Sequence, residues 1–157
     1  MSKSEAKPAK NTKKSSLEQL LNEQVANLNV LYVKLHNYHW YVKGTNFFRL
    51  HAKFEELYNE VTEQMDAIAE RMLALKWTPA ASLKEYLDLA TIQEATGKEK
   101  PQAMVQHVLE DLATLTEAYN EGIGLADQAE DNVTSDLLTG YLGKWEKQMW
   151  MLRAYLD

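Results

Sequence analysis

Four long stretches of this chain place apolar residues at three- and four-residue intervals, and stripes of about 25 residues each can be hidden mainly against one another. The first stripe is Leu17, Leu20, Leu21, Val25, Leu28, Leu31, Leu35 and Tyr38. "SSLE" and "SLEQ" ahead of it both match a capping box, so the helix is expected to open near Ser15, and Gly44 offers a left-handed stop. The second helix is expected from Thr45 or Asn46 to Leu75, on Phe47, Leu50, Phe54, Leu57, Val61, Met65, Ile68 and Met72. "KWTPAAS" then breaks it, "SLKEYLDLA" reads as a short helix, and "TGKEKPQ" is a loop with Pro101 at the first turn of a third long helix reaching Ala126. After a turn over 127–132, a fourth helix over 133–156 shows Leu137, Leu138, Tyr141, Leu142, Trp145, Met149, Leu152 and Tyr155 on one side. The expected fold is all-α, a four-helix bundle with a short helix in the connection between the second and third helices.

The first fourteen residues differ in kind. "MSKSEAKPAKNTKK" carries five Lys against one Glu and no apolar period, so it is expected to be a disordered Lys-rich tail, with the bundle domain over 15–157. The net charge of −6 therefore divides into a basic tail and an acidic body. The chain has no Cys, which removes disulfides, thiolate ligands and thiol catalysis. With no apolar run near the roughly 18 residues of a membrane span and no signal-peptide pattern, a soluble cytoplasmic protein is expected.

The chemistry concentrates in "HNYHWYVKGTNFFRLHAKFEE" and two acids beyond it. His39, His51, Glu55, Asp66 and Glu70 form a hard oxygen and imidazole set suited to iron, manganese or zinc. At about 100° per residue from His51, Glu55 falls near 40°, Asp66 near 60° and Glu70 near 100°, while the apolar stripe centres near −70°. These residues share a face that is not the core face. Yet His51 and Glu70 are 19 residues apart, roughly 28 Å along a helix, so no single ion reaches both. A bundle-centre di-iron site is also excluded, because it needs Glu three residues before a His, and Val33, His36, Phe48 and Met104 hold those places. Two half-sites remain: a two-fold axis laying two copies of the second helix antiparallel would bring His51 and Glu55 of one subunit opposite Asp66 and Glu70 of its mate. The alternative is solvated surface and no site.

The run "HNYHWYVKGTNFFRLHAKFEELY" followed by "MDAIAER" resembles the ferroxidase signature of the Dps family, the small dodecameric ferritins named as DNA-binding proteins from starved cells. "VTSDLL" and "WMLRAYL" are similar to further family segments, and the resemblance covers about 16–156. It implies a homododecamer around a hollow, with iron sites at two-fold interfaces. His39, His51 and Glu55 would come from one subunit and Asp66 and Glu70 from the other, holding at most two iron ions per site. Many relatives carry Asp where this chain has Glu55. The implied activity is a ferroxidase that oxidises Fe(II) to Fe(III), preferably with hydrogen peroxide, and stores ferric mineral. Trp40 would either absorb a stray oxidising equivalent or pack at the interface.

The same resemblance makes Asp127, Asp131 and Asp136 in "LADQAEDNVTSD" candidates for a pore that admits iron, with Asn132 standing where relatives have an acid; acids beside a helix N-terminus also serve the helix dipole. Lys3, Lys7, Lys10, Lys13 and Lys14 could neutralise DNA phosphates without reading sequence. Tail binding of this kind would associate the protein with the nucleoid and protect DNA. The rival from a different class is a nucleoid-compacting protein whose metal site is vestigial.

Overall fold

In the computed structural model, which describes residues 15–157, five helices follow one another: α1 (Leu17–Tyr41), α2 (Phe47–Ala74), α3 (Leu83–Leu89), α4 (Pro101–Gln128) and α5 (Asn132–Leu156). The described residues contain no strand. The expected four-helix bundle with a short helix in its long connection is what forms. The Lys-rich tail lies outside the described residues.

Local chemistry explains the ends. Of the two overlapping capping boxes, "SLEQ" is used: Ser16 caps α1, accepting from the Gln19 N–H at 3.1 Å while Gln19 Oε1 accepts from Ser16 N–H. Gly44 adopts φ +105° in the link to α2, a region that costs a side chain about 1–2 kcal/mol. α4 opens with Pro101 at its first turn, as its missing N–H permits. α2 and α4 both close on a left-handed residue that is not Gly, Lys76 at φ 64° and Glu130 at φ 56°. In each case two backbone bonds close the turn, such as Trp77 N–H to Met72 O at 2.9 Å and Asp131 N–H to Ala126 O at 2.8 Å.

Short links make α1 and α2 one antiparallel pair and α4 and α5 another, while α1 also meets α4 and carries α3 across its outer side. The α2 stripe predicted to face inward does so: Phe54, Leu57, Val61, Ile68 and Met72 are fully buried against Leu28, Leu31, Leu35 and Tyr38 of α1, with Leu112, Leu115 and Trp145 from the other pair. The crossover is pinned from α1, where Asn27 Oδ1 accepts from the N–H groups of Thr91 at 2.7 Å and Ile92 at 3.0 Å.

Two polar groups at the bundle centre bear on function. Tyr119, fully buried, donates its hydroxyl to Gln64 Oε1 at 2.8 Å, and Gln64 Nε2 donates to Glu60 at 2.9 Å. A Gln and a Tyr thus occupy the interior where a bundle-centre metal would need carboxylates and imidazoles. Between α1 and α4, Lys34 and Asp111 form a buried ion pair at 2.7 Å; burial pushes the Asp111 carboxyl up, and the Lys34 ammonium opposes that.

Candidate metal centre

The link between α1 and α2 brings the last turn of one helix beside the first turn of the other, and this sets His39 against His51. Their rings stack with centroids 3.6 Å apart and planes 13° from parallel. Each Nδ1 lies 2.7 Å from the backbone oxygen of the other residue. A carbonyl oxygen only accepts, so each Nδ1 carries the proton and donates, which leaves the Nε2 lone pair of both rings for a cation. His39 is buried and His51 half-buried, and Phe47 stacks on the outer side of His51 at 5.0 Å. Two imidazole rings are therefore fixed in orientation before any metal arrives, with Nε2 of each the nitrogen not engaged by backbone.

The acids lie on the same helix as His51. Glu55 stands one turn on, and Asp66 and Glu70 lie near the far end of α2; all three are exposed. Asp66 and Glu70 make no ion pair or side-chain hydrogen bond among the described residues. Arg71, the cation next to Glu70 in sequence, turns instead to Asp131 at 2.9 Å. Within one chain no three His, Asp or Glu side chains converge on a metal position among the described residues. α2 is continuous over its 28 residues, so the separation of His51 from Glu70 is that of an unbroken helix, about 28 Å. The structure brings His39 and His51 together and leaves Asp66 and Glu70 apart from them.

Asp131 is engaged within the chain. Its carboxylate caps α5, accepting from Thr134 N–H at 3.0 Å and from the Thr134 hydroxyl, and it pairs with Arg71. Burial alone would raise its pKa, but the Thr134 bonds and the Arg71 charge outweigh it and hold the carboxyl below the usual range. Asp127 and Asp136 are exposed on either side of the α4–α5 turn. Trp40 is exposed at the end of α1, with its ring 5.3 Å from that of His36.

Two neighbours of the site were not singled out from sequence. Tyr58 places its ring 5.3 Å from His39, edge to face at 89°, and stacks on His36 at 3.8 Å. Partial burial, then the Glu55 carboxylate and Tyr32, push its phenol up. Tyr58 follows Glu55 by three residues and His51 by seven, a spacing that could have flagged it as sharing their face. Nothing in the sequence marked Phe47 as other than core.

The bundle with one long crossover and the paired imidazoles at its α1–α2 corner define a ferritin-like protein, and residues 18–157 match the family model of the ferritin-like domain. General stress protein 20U of Bacillus subtilis is 51% identical over 140 residues, covering 89% of this chain and 97% of the relative. DNA protection during starvation protein 2 of Bacillus anthracis is 48% identical, over 88% and 95% respectively. The crystal structure of Dps from Staphylococcus aureus superposes with a TM-score of 0.88 at 41% identity, covering 90% of this chain and 95% of that one. The chain belongs to the Dps family.

Proposed function

We propose that this chain is the subunit of a homododecameric shell that oxidises Fe(II) with hydrogen peroxide at inter-subunit sites and stores the ferric product. The observation that carries the reading is the pair of locked imidazoles at one end of α2, with unneutralised carboxylates at the other and none of the distance between them bridgeable within one chain. In the proposed dimer His39, His51 and Glu55 of one subunit face Asp66 and Glu70 of the next, and two symmetric sites result. Metal-soaked crystals among the structural neighbours, Listeria innocua Dps with zinc at 42% identity and with cobalt at 41%, support a metal-binding role.

Iron is the substrate here. The His39 and His51 Nε2 lone pairs fix its position, and the carboxylates of Glu55, Asp66 and Glu70 supply negative charge and hard oxygens that favour Fe(III) over Fe(II). Two Fe(II) ions give one electron each to one peroxide; its O–O bond breaks and, with two protons, it leaves as two waters. No hydroxyl radical is released when both ions are present. Asp127, Asp131 and Asp136 are the proposed acids of an iron-admitting pore, with Asp131 also holding the helix end beside the other two.

The relatives named for DNA protection during starvation support a protective role in the cytoplasm. Binding of DNA by Lys3, Lys7, Lys10, Lys13 and Lys14 would be non-specific and salt-sensitive, with twelve tails acting together. Stopped-flow oxidation of Fe(II) by peroxide tests the enzyme: Asp66→Ala with Glu70→Ala abolishes the fast phase. An unchanged rate leaves a nucleoid-compacting protein with a vestigial site. Gel shifts at graded salt, with and without residues 1–14, test the tail, and equal retention by both forms removes it from the account.

A further inference from the structure

Beyond the tail, positive charge without an acid partner gathers at one place on the described bundle. We propose that Lys43, Lys98 and Lys100 form a phosphate-binding surface on the folded body that seats the backbone of duplex DNA; this extends the DNA-binding reading from the tail to the bundle. The three lysines surround one open depression of about 320 Å³, between the link after α1 and the loop that leads into α4. All three are exposed and none has an acid partner among the described residues, whereas Lys34, Lys53, Arg71, Lys84 and Lys144 are ion-paired. The acid between two of them in sequence is turned away. Glu99 Oε1 accepts from the Thr96 N–H at 2.6 Å and from the Thr96 hydroxyl at 2.8 Å, and its Oε2 is buried. α4 adds to the same field, since it opens with no side-chain cap and no acid in its first turn, so the positive end of its dipole is uncompensated.

Charge and length select the partner. The body as a whole is acidic, so a polyanion can approach it only where cations collect locally. The acids Asp127, Glu130, Asp131 and Asp136 stand at the far end of α4, whose 28 residues span about 42 Å, and DNA at the lysines leaves them free. The patch lies just past the C-terminal end of α1, while the tail precedes its N-terminal end, about 37 Å away over 25 residues. That separation is close to one turn of duplex DNA, about 34–36 Å, so one duplex can meet the patch and the tail lysines together. A compact acidic peptide is too short to do so, and a duplex carries phosphate along the whole distance. Lysine ammonium groups impose no fixed direction, so the contact responds to charge and not to sequence.

Full-length proteins are compared by gel shift on a linear random-sequence duplex at graded salt. The patch variant carries Lys43→Gln, Lys98→Gln and Lys100→Gln; the tail variant carries Lys3→Gln, Lys7→Gln, Lys10→Gln, Lys13→Gln and Lys14→Gln; a third protein combines both sets. The patch variant is expected to bind about tenfold more weakly at low salt and to lower the slope of log affinity against log salt by roughly 2–3 for each engaged subunit. The tail variant keeps a weaker, salt-sensitive complex, and the combined variant loses it. Lys43→Arg with Lys98→Arg and Lys100→Arg keeps wild-type affinity, while assembly mass and Fe(II) oxidation stay unchanged in every variant. Affinity and slope in the patch variant equal to wild type overturn the proposal, as does a tail variant that retains no complex. A patch variant whose assembly dissociates assigns the lysines to contacts between copies and overturns it too. No complex with wild type at any salt would instead overturn the DNA-binding reading that the proposal extends.

Discussion

At its first turns α2 carries His51, bonded and stacked to His39 so that both imidazoles are set in place within one chain. About five turns on, Asp66 and Glu70 stand exposed, and Arg71, next to Glu70 in sequence, is engaged by Asp131. The difference follows from the ligands. An imidazole offers one directional lone pair per ring, so its aim must be fixed by the fold before the metal arrives. A carboxylate offers several lone pairs and can rotate, so its position can await a docking partner, and two unpaired acids in water cost little. In the proposed dimer, one end of the helix is built by the subunit and the other by the assembly.

The largest effect expected from breaking this contrast is at the acidic end. Asp66→Ala with Glu70→Ala should lower peroxide-driven Fe(II) oxidation about 100-fold or more, while thermal unfolding shifts by no more than roughly 0.5 kcal/mol, as for other exposed sites. Stopped-flow absorbance and a calorimetric melt on the same preparation check both halves of that statement. His51→Ala should differ in kind. It is expected to reduce Fe(II) affinity about 10- to 100-fold and also to cost about 1–3 kcal/mol, because the His39 carbonyl and the stacked ring lose their partner. Equal stability loss at the two ends would remove the distinction.

Asp131→Ala sharpens the acidic end. The cap and the Arg71 pair disappear together, with an expected cost of about 1–2 kcal/mol. Arg71 is then released beside Glu70, and Fe(II) affinity should fall several-fold. The pH dependence carries its own sign. The folded pKa of Asp131 is lowered, so its contribution is present above the unfolded value near 4 and is lost as pH falls through the lower folded value. Melts across the acid range should therefore fall less steeply for the variant than for wild type. The smallest effect is expected at Lys76, which closes α2 in the left-handed region. Lys76→Gly should stabilise by roughly 0.5–1 kcal/mol without changing iron oxidation.

Much of this was legible from sequence, and most of the misses have a common cause. The helices, the crossover, the apolar face of α2 and the separation of His51 from Asp66 and Glu70 all follow from period and rise, which are local properties of one helix. The capping box was legible to within a one-residue register, Ser15 or Ser16, which the reciprocal Gln19 bond decides. What sequence could not show are pairings that cross between elements: His39 with His51, Tyr58 with His36, Lys34 with Asp111, and Arg71 with Asp131. Asp131 illustrates the point, since its place before a helix signals a cap but gives no sign of Arg71 beside it. Lys76 and Glu130 escaped for a different reason, because a left-handed stop is normally signalled by Gly or Asn.

The central claim is that neither end of α2 makes a site alone, and co-assembly of two defective chains tests it most directly. One chain carries His39→Ala with His51→Ala, and the other carries Asp66→Ala with Glu70→Ala. Each homogeneous assembly should be inactive in Fe(II) oxidation. When the two are unfolded together and reassembled in equal amounts, a site is whole only where intact imidazoles of one chain meet intact acids of the other, so about a quarter of wild-type activity should return. Activity that stays at the background of either parent would contradict the account and place the chemistry within a single chain.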